Sequence, residues 1–153
     1  MTRSIWFQPV DVADLNARHA GDINGHLGIE IMDSGPDWIK GTLPVDHRTI
    51  QPMGIVYGGA SVVLAETLAS VAASLVVDRQ RQFCVGQEVN ANHIRSVRSG
   101  LVTGVARPFH LGRTSQIWGI ELSNDACKRT CVARLTIAVV TTTLGFPPAV
   151  SRR

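Results

Sequence analysis

The stretch GGASVVLAETLASVAASLVV, Gly58 to Val77, is the most apolar run in the chain, and one carboxylate, Glu66, stands in its middle. Roughly 20 such residues would suffice to cross a bilayer. The chemistry argues against that reading: the run holds Glu66, Thr67 and three serines, its middle is alanine-rich, and it lacks a basic flank immediately before it and an aromatic belt. A helix apolar all round in a water-soluble chain is expected to be enclosed by its own fold. A charge taken out of water costs more than one side chain's hydrophobic gain, so Glu66 is paired, satisfied by local donors, or kept for chemistry.

Strand patterns surround this helix. HLGIEIMD (His26 to Asp33) alternates Leu27, Ile29 and Ile31 with other residues, and DWIKGTLPV (Asp37 to Val45) follows a Ser-Gly-Pro turn, which predicts a hairpin. After the helix, FCVGQEVNANHIR, GLVTGVARPFH, TSQIWGIELS and RTCVARLTIAVV read as four more strands, the last two joined by a turn at Asn124 and Asp125. DVADLNARHA, near the start, reads as a short helix. The expected architecture is α+β: about six mostly antiparallel strands curled around one long helix. Residues 1–140 form one domain, and TTTLGFPPAVSRR, residues 141–153, reads as a loose tail.

With 153 residues, 44% hydrophobic and 18% charged, the chain has enough apolar material for a sizeable core. A net charge of +3 gives no general case for nucleic-acid or membrane binding. Cys84, Cys127 and Cys131 form no paired framework and no zinc spacing, which suits a reducing cytoplasm, and the N-terminus carries no export pattern. Histidines 19, 26, 47, 93 and 110 lack HExxH spacing, so no metal site is expected. Ser61 lacks the second glycine of a nucleophile elbow, and Gly58-Gly59 is too short for a Walker loop. Between Val89 and Ile120 the chain carries Arg95, Arg98, Arg107, Arg113, His93 and His110 without one Asp or Glu. That segment is either a set of solvated strand residues with acidic neighbours elsewhere, or a seat for an anion.

The runs PVDHRTIQPMGIVYGGASVVLAE (Pro44 to Glu66), VGQEVNANHIRS (Val85 to Ser96) and HLGRT (His110 to Thr114) resemble, in order and over about residues 5 to 140, the hotdog-fold acyl-CoA thioesterases of the 4-hydroxybenzoyl-CoA thioesterase type. That family includes enzymes for 1,4-dihydroxy-2-naphthoyl-CoA and for mischarged aryl carrier proteins. The resemblance implies that Glu66 attacks the thioester or activates water, that Gln51 orients the reacting groups, and that the Gly58 amide polarises the carbonyl. It also implies that Ser70 assists from one turn beyond, and that Gly86, His93 and Arg95, with Arg113 and Thr114, lie near the CoA. Coenzyme A is then part of the substrate, and no separate cofactor or metal is needed. Where the family has a histidine before the two glycines, this chain has Tyr57, whose phenol donates a hydrogen bond but takes up no proton near neutral pH. The alternative is therefore an acyl-CoA or acyl-carrier binding protein with weakened or lost chemistry.

Helix geometry adds one expectation. Gly58 and Glu66 are eight positions apart, about 12 Å of rise at ~1.5 Å per residue, too far for both to engage one carbonyl. The site is expected to be shared between chains of a homodimer, and the resemblance implies that such dimers pair into a tetramer.

Overall fold

The computed structural model describes residues 4–142. The first helix, α1 (Val12–His19), is capped by Asp11, whose side chain accepts from the Asp14 N–H at 3.0 Å, and it carries Arg18 and His19 in its last turn. An acidic cap and a basic end both suit the helix dipole. A second helix, α2 (Ile23–Leu27), follows at once. It corrects the strand expected from His26. Asp22 caps its start by accepting from the Asn24 N–H, and Gly28 ends it at φ 73°, a left-handed conformation that suits glycine. The strand β1 begins only at Glu30 and runs to Ser34; it pairs with β2 (Ile39–Pro44) in the expected antiparallel hairpin.

After the long helix α3 (Gly58–Val76) come β3 (Gln82–His93), β4 (Leu101–Leu111), β5 (Ser115–Ser123) and β6 (Arg129–Thr141). The six strands form one antiparallel sheet in the order β1-β2-β4-β5-β6-β3, and α3 lies against it, touching β2 through β6. Thr141, read as the start of the tail, instead ends β6 opposite Gln82, and the Thr142 N–H donates to the Arg81 carbonyl at 2.9 Å. The rest of the tail, 143–153, lies outside the described residues.

Period-2 alternation turns Ile39 and Leu43 of β2, Val102 and Ala106 of β4, Trp118, Ile120 and Leu122 of β5, and Leu135 and Ile137 of β6 onto the helix. Two glycines make room for it. A β-carbon on Gly41 would stand 2.8 Å from one Leu68 methyl, and one on Gly104 2.6 Å from the other, so the fully buried Leu68 is seated in notches cut by the sequence. In such a site a Leu to Ala change costs about 2–5 kcal/mol.

The helix is not enclosed on every side. Ala60, Leu64, Ala65, Leu68, Ala69, Ala72 and Ala73 are buried, whereas Val62, Val63, Thr67, Ser70 and Ser74 are partly covered and Glu66 is exposed. The expectation of burial for Glu66 is thus corrected: within one chain the stripe of α3 that bears it is covered incompletely. By length and composition alone α3 could cross a membrane, but it is the core helix of this sheet.

Candidate active site

The loop before α3 is held by its own hydrogen bonds. Thr49, buried, donates from its hydroxyl to the Pro44 carbonyl at 2.7 Å and accepts from the Asp46 N–H at 3.0 Å, while its carbonyl receives the Tyr57 N–H at 2.7 Å. Arg48 hydrogen-bonded to Asp46 holds that carboxyl down at about 2. Between these anchors Gln51 N–H donates to Ile55 O at 2.9 Å and Gly54 N–H to Gln51 O at 2.8 Å, with Gly54 at φ 71°. The Gln51 side-chain oxygen accepts the Met53 N–H at 2.5 Å. That contact fixes which end of the amide points where: the oxygen is spent on the loop, and the NH2 donors have no partner among the described residues.

The same groove, about 530 Å³, is lined by Gln51, Tyr57, Gly58, Ser61, His93 and Arg95. The first amides of a helix have no acceptor within it, and those of Gly58 and Gly59 find none elsewhere among the described residues. They combine with the positive end of a 19-residue helix to favour a developing anion. The fit is close: a β-carbon on Gly58 would lie 2.9 Å from Nε2 of His93, and one on Gly59 3.1 Å from the Tyr57 ring. Tyr57 is 58% exposed and its hydroxyl has no partner among the described residues. Arg95 reaches back to the Arg129 carbonyl at 3.0 Å.

Glu66 and Ser70 lie elsewhere. They line a second groove of about 490 Å³ between α1, α2 and α3, with Leu15, Ile23, Val63, Val71, Leu75 and Cys84 as its apolar walls. Burial pushes the Cys84 thiol up to about 11. Gly86, expected near the CoA, stands beside the carboxylate: Oε1 of Glu66 is 3.2 Å from where its β-carbon would be. The strand bulges there, with pairing to β6 shifting between Gly86 and Glu88, and a bulge of this kind re-aims side chains.

The sheet register separates the remaining residues. His93 sits opposite Cys131, whereas Arg113 and Thr114 lead into Ser115, opposite Ala138. Seven positions along β6 amount to about 23 Å. A single chain therefore gathers Gln51, Tyr57, Gly58, His93 and Arg95 at one end, sets Glu66, Ser70 and Gly86 in another groove, and leaves Arg113 and Thr114 on an exposed turn. The basic segment is divided as well: Arg107 pairs with Asp37 at 2.7 Å and lies over Trp38, so for this arginine the acidic neighbour elsewhere is the correct reading.

The sequence profile of the Thioesterase superfamily matches residues 53–131, from the Gln51 loop through β5 to the start of β6. The chain belongs to this superfamily. It is 52% identical over 137 residues to esterase PA1618 of Pseudomonas aeruginosa, covering 90% of this chain and 94% of that protein. A crystal structure of a variant of thioesterase PA1618 superposes with a TM-score of 0.90 at 50% identity, over 91% of this chain and 100% of that one. The 1,4-dihydroxy-2-naphthoyl-CoA hydrolase of Escherichia coli is 44% identical over 136 residues, 89% of this chain and 99% of that protein. The sheet around α3 is accordingly the hotdog fold, and the chain is a thioester hydrolase.

Sequence reasoning missed the groove-lining residues of α1 and α2. His19 donates from Nδ1 to Asp22 at 2.7 Å, and Asn24, buried, donates to Asp22 at 2.9 Å and accepts from the Thr67 hydroxyl. Burial raises the Asp22 carboxyl, but the hydrogen bonds from His19 and from Asn24 outweigh it and hold the group below its ordinary value. The signal available was DINGHLG, an Asp cap and a Gly stop around five residues, too short to display helical periodicity.

Proposed function

We propose that this thioester hydrolase acts on acyl-CoA, or on an acyl group carried by an aryl carrier protein, in the cytoplasm, with Glu66 as its catalytic carboxylate. Support comes from the NH2 of Gln51 and the amide of Gly58, both without a partner among the described residues, in residues that line one groove at the start of the helix that carries Glu66. In one route Glu66 takes a proton from water as the resulting hydroxide adds to the carbonyl carbon. The helix amides and Gln51 stabilise the oxyanion, the C–S bond breaks, and the thiolate leaves with the proton from Glu66. In the other, the carboxylate itself adds, expels the thiolate and forms an anhydride that water then cleaves. Ser70, one turn along the helix and lining the Glu66 groove, assists by holding the water or the carboxylate.

Both routes require Glu66 within about 3 Å of the carbon whose oxygen the amides hold. One chain separates these groups by eight helical positions, about 12 Å, so the working site is built by two chains, in a homodimer that pairs further into a tetramer. The edge strand β3 fits such pairing: it is 12 residues long, its outer side has no neighbour among the described strands, and Glu88 is its one carboxylate. His93 and Arg95 then receive the CoA phosphates, and Arg113 and Thr114 reach that CoA only if a second chain brings those groups to their end of the sheet.

Tyr57 favours a second reading, a binding protein with lost chemistry, because an exposed phenol stands where the family has a base. Release of free thiol from a panel of aromatic and aliphatic acyl-CoAs separates the two. Turnover that falls about 10³-fold in Glu66→Gln, with binding kept, is expected. Absence of turnover on the whole panel would favour the binding protein, and retention of more than about a tenth of the rate would return Glu66 to a structural role.

A further inference from the structure

Arg98 belongs to the basic segment that carries no Asp or Glu, and the proposed chemistry gives it no part. It stands in the connection between β3 and β4, and its Nη1 donates to the carbonyl of Met53 at 3.2 Å, across 45 positions of sequence. Met53 is held from its other side by a residue the mechanism uses: its N–H donates to Oε1 of Gln51 at 2.5 Å. One residue therefore joins a guanidinium to the side-chain amide whose NH2 has no partner among the described residues. The tip of this loop has little else to hold it. Pro52, Met53 and Gly54 are exposed, so no side chain there is anchored in the core. The base is fixed by the Ile50–Val56 bridge and by the Val56 N–H, which donates to the Val97 carbonyl at 2.8 Å. Beyond that base the loop bonds to itself, Gln51 N–H to Ile55 and Gly54 N–H to Gln51, and among the described residues Arg98 supplies the hydrogen bond that reaches the tip from outside. A turn bonded only to itself can pivot about its base and carry Gln51 with it, and a second point of attachment removes that freedom.

We infer that Arg98 is a positioning residue for Gln51: through the Met53 carbonyl it fixes the turn 51–54, and with it the direction in which the Gln51 NH2 donates. This rests on the reading of Gln51 as a group that orients the thioester. The contact suits the task. A guanidinium makes a charge-assisted hydrogen bond, stronger than one between neutral groups, and it keeps its proton across the working pH range. It also lies close over the turn: a β-carbon on Gly54 would stand 3.8 Å from the same Nη1. Arg98 is exposed, so its removal leaves no buried group unpaired and costs the fold little. Its effect is then on where Gln51 points, and a displacement of roughly 1 Å at a reacting group is felt in the rate.

The test is a double-mutant cycle between Arg98→Met and Gln51→Ala. Its substrate is the N-acetylcysteamine thioester of the acyl group turned over fastest in the panel, which has no nucleotide for Arg98 to meet, with the CoA thioester of the same acyl group run beside it. Arg98→Met should melt within a few degrees of wild type and lower kcat about tenfold on both substrates, with KM kept. In the Gln51→Ala background, whose residual rate is read at high enzyme concentration, the same substitution should change kcat by a factor near one, because the group it positions is gone. Arg98→Lys keeps a charged donor for a contact made through a single N–H, and should recover most of the rate. If Arg98→Met does not fold, Arg98→Ala takes its place in the cycle. A tenfold loss in both backgrounds overturns the proposal, since Arg98 would then act by a route that bypasses Gln51, and so does an unchanged kcat. A raised KM on the CoA thioester alone, with kcat kept, overturns it in favour of a contact with the CoA phosphates. A wild type that turns over neither substrate overturns the reading of the site and this proposal together. Turnover lost in Glu66→Gln but kept in Arg98→Met leaves that reading standing and overturns this proposal alone.

Discussion

Oε1 of Glu66 lies 3.2 Å from the position a β-carbon would take on Gly86, where β3 bulges. Gly86 is therefore the floor on which the carboxylate rests. A methyl group there meets the far end of a flexible side chain, which can swing away at small energetic cost. Gly86→Ala should keep the melting temperature within a few degrees while lowering kcat by about 10²-fold, the usual consequence of misplacing a reacting group by roughly 1 Å. Steady-state kinetics beside thermal melts check this, and an unchanged kcat would mean the carboxylate works from another position.

Arg95 lines the Gln51 groove with His93, at the end of β6 opposite Arg113. If it meets the CoA phosphates, Arg95→Ala raises KM for an acyl-CoA by about tenfold but hardly changes KM for the N-acetylcysteamine thioester of the same acyl group, and the difference shrinks at high salt. Equal effects on both substrates would remove the nucleotide from this groove.

Glu66 and Gln51 could be singled out as candidates because their signals are local in the chain: a carboxylate inside an apolar run, and a glutamine in a turn just before the helix. The strands were legible because alternation reports a sheet with one covered face. Which stripe of α3 stays open was not, since an all-apolar helix has little periodicity to mark it. The partner of Arg107 was hidden for a similar reason: Asp37 is 70 positions away, and only the register of β2 against β4 brings the two together. The His19–Asp22 pair was hidden as well, because the contact that seats its helix connection on α3, between Asn24 and Thr67, spans 43 positions.

The Cys84 thiol, pushed up to about 11 by burial, donates toward the Ala73 carbonyl at 3.5 Å, and Cys131 is buried and raised as well. At pH 8 iodoacetamide should label the exposed Cys127 first, with Cys84 and Cys131 at least tenfold slower, as intact-protein mass spectrometry would follow. The sign for stability follows from the neutral form being favoured in the fold. The contribution is complete below the unfolded thiol value near 9 and is lost as pH rises toward about 11. Cys84→Ala should therefore flatten the alkaline loss of stability between about pH 9 and 11, and an identical slope in wild type and variant would assign that loss to other groups.

Assembly provides the last test, because Glu66 and Gln51 line different grooves of one chain, whereas the proposed mechanism brings both to one carbonyl. Take Glu66→Gln and Gln51→Ala chains, each nearly inactive as a homodimer, and let them exchange. A mixed dimer then contains one site with both defects and one with neither, because its Glu66 comes from one chain and its Gln51 from the other. Random exchange makes half of all dimers mixed, so activity should return to about a quarter of wild type. The increase should follow the rate of subunit exchange, measured separately by native mass spectrometry of chains of different mass. If exchange is complete and activity never exceeds that of the two parents, each site is built from a single chain, and the 12 Å between helix start and carboxylate must be closed by movement within it.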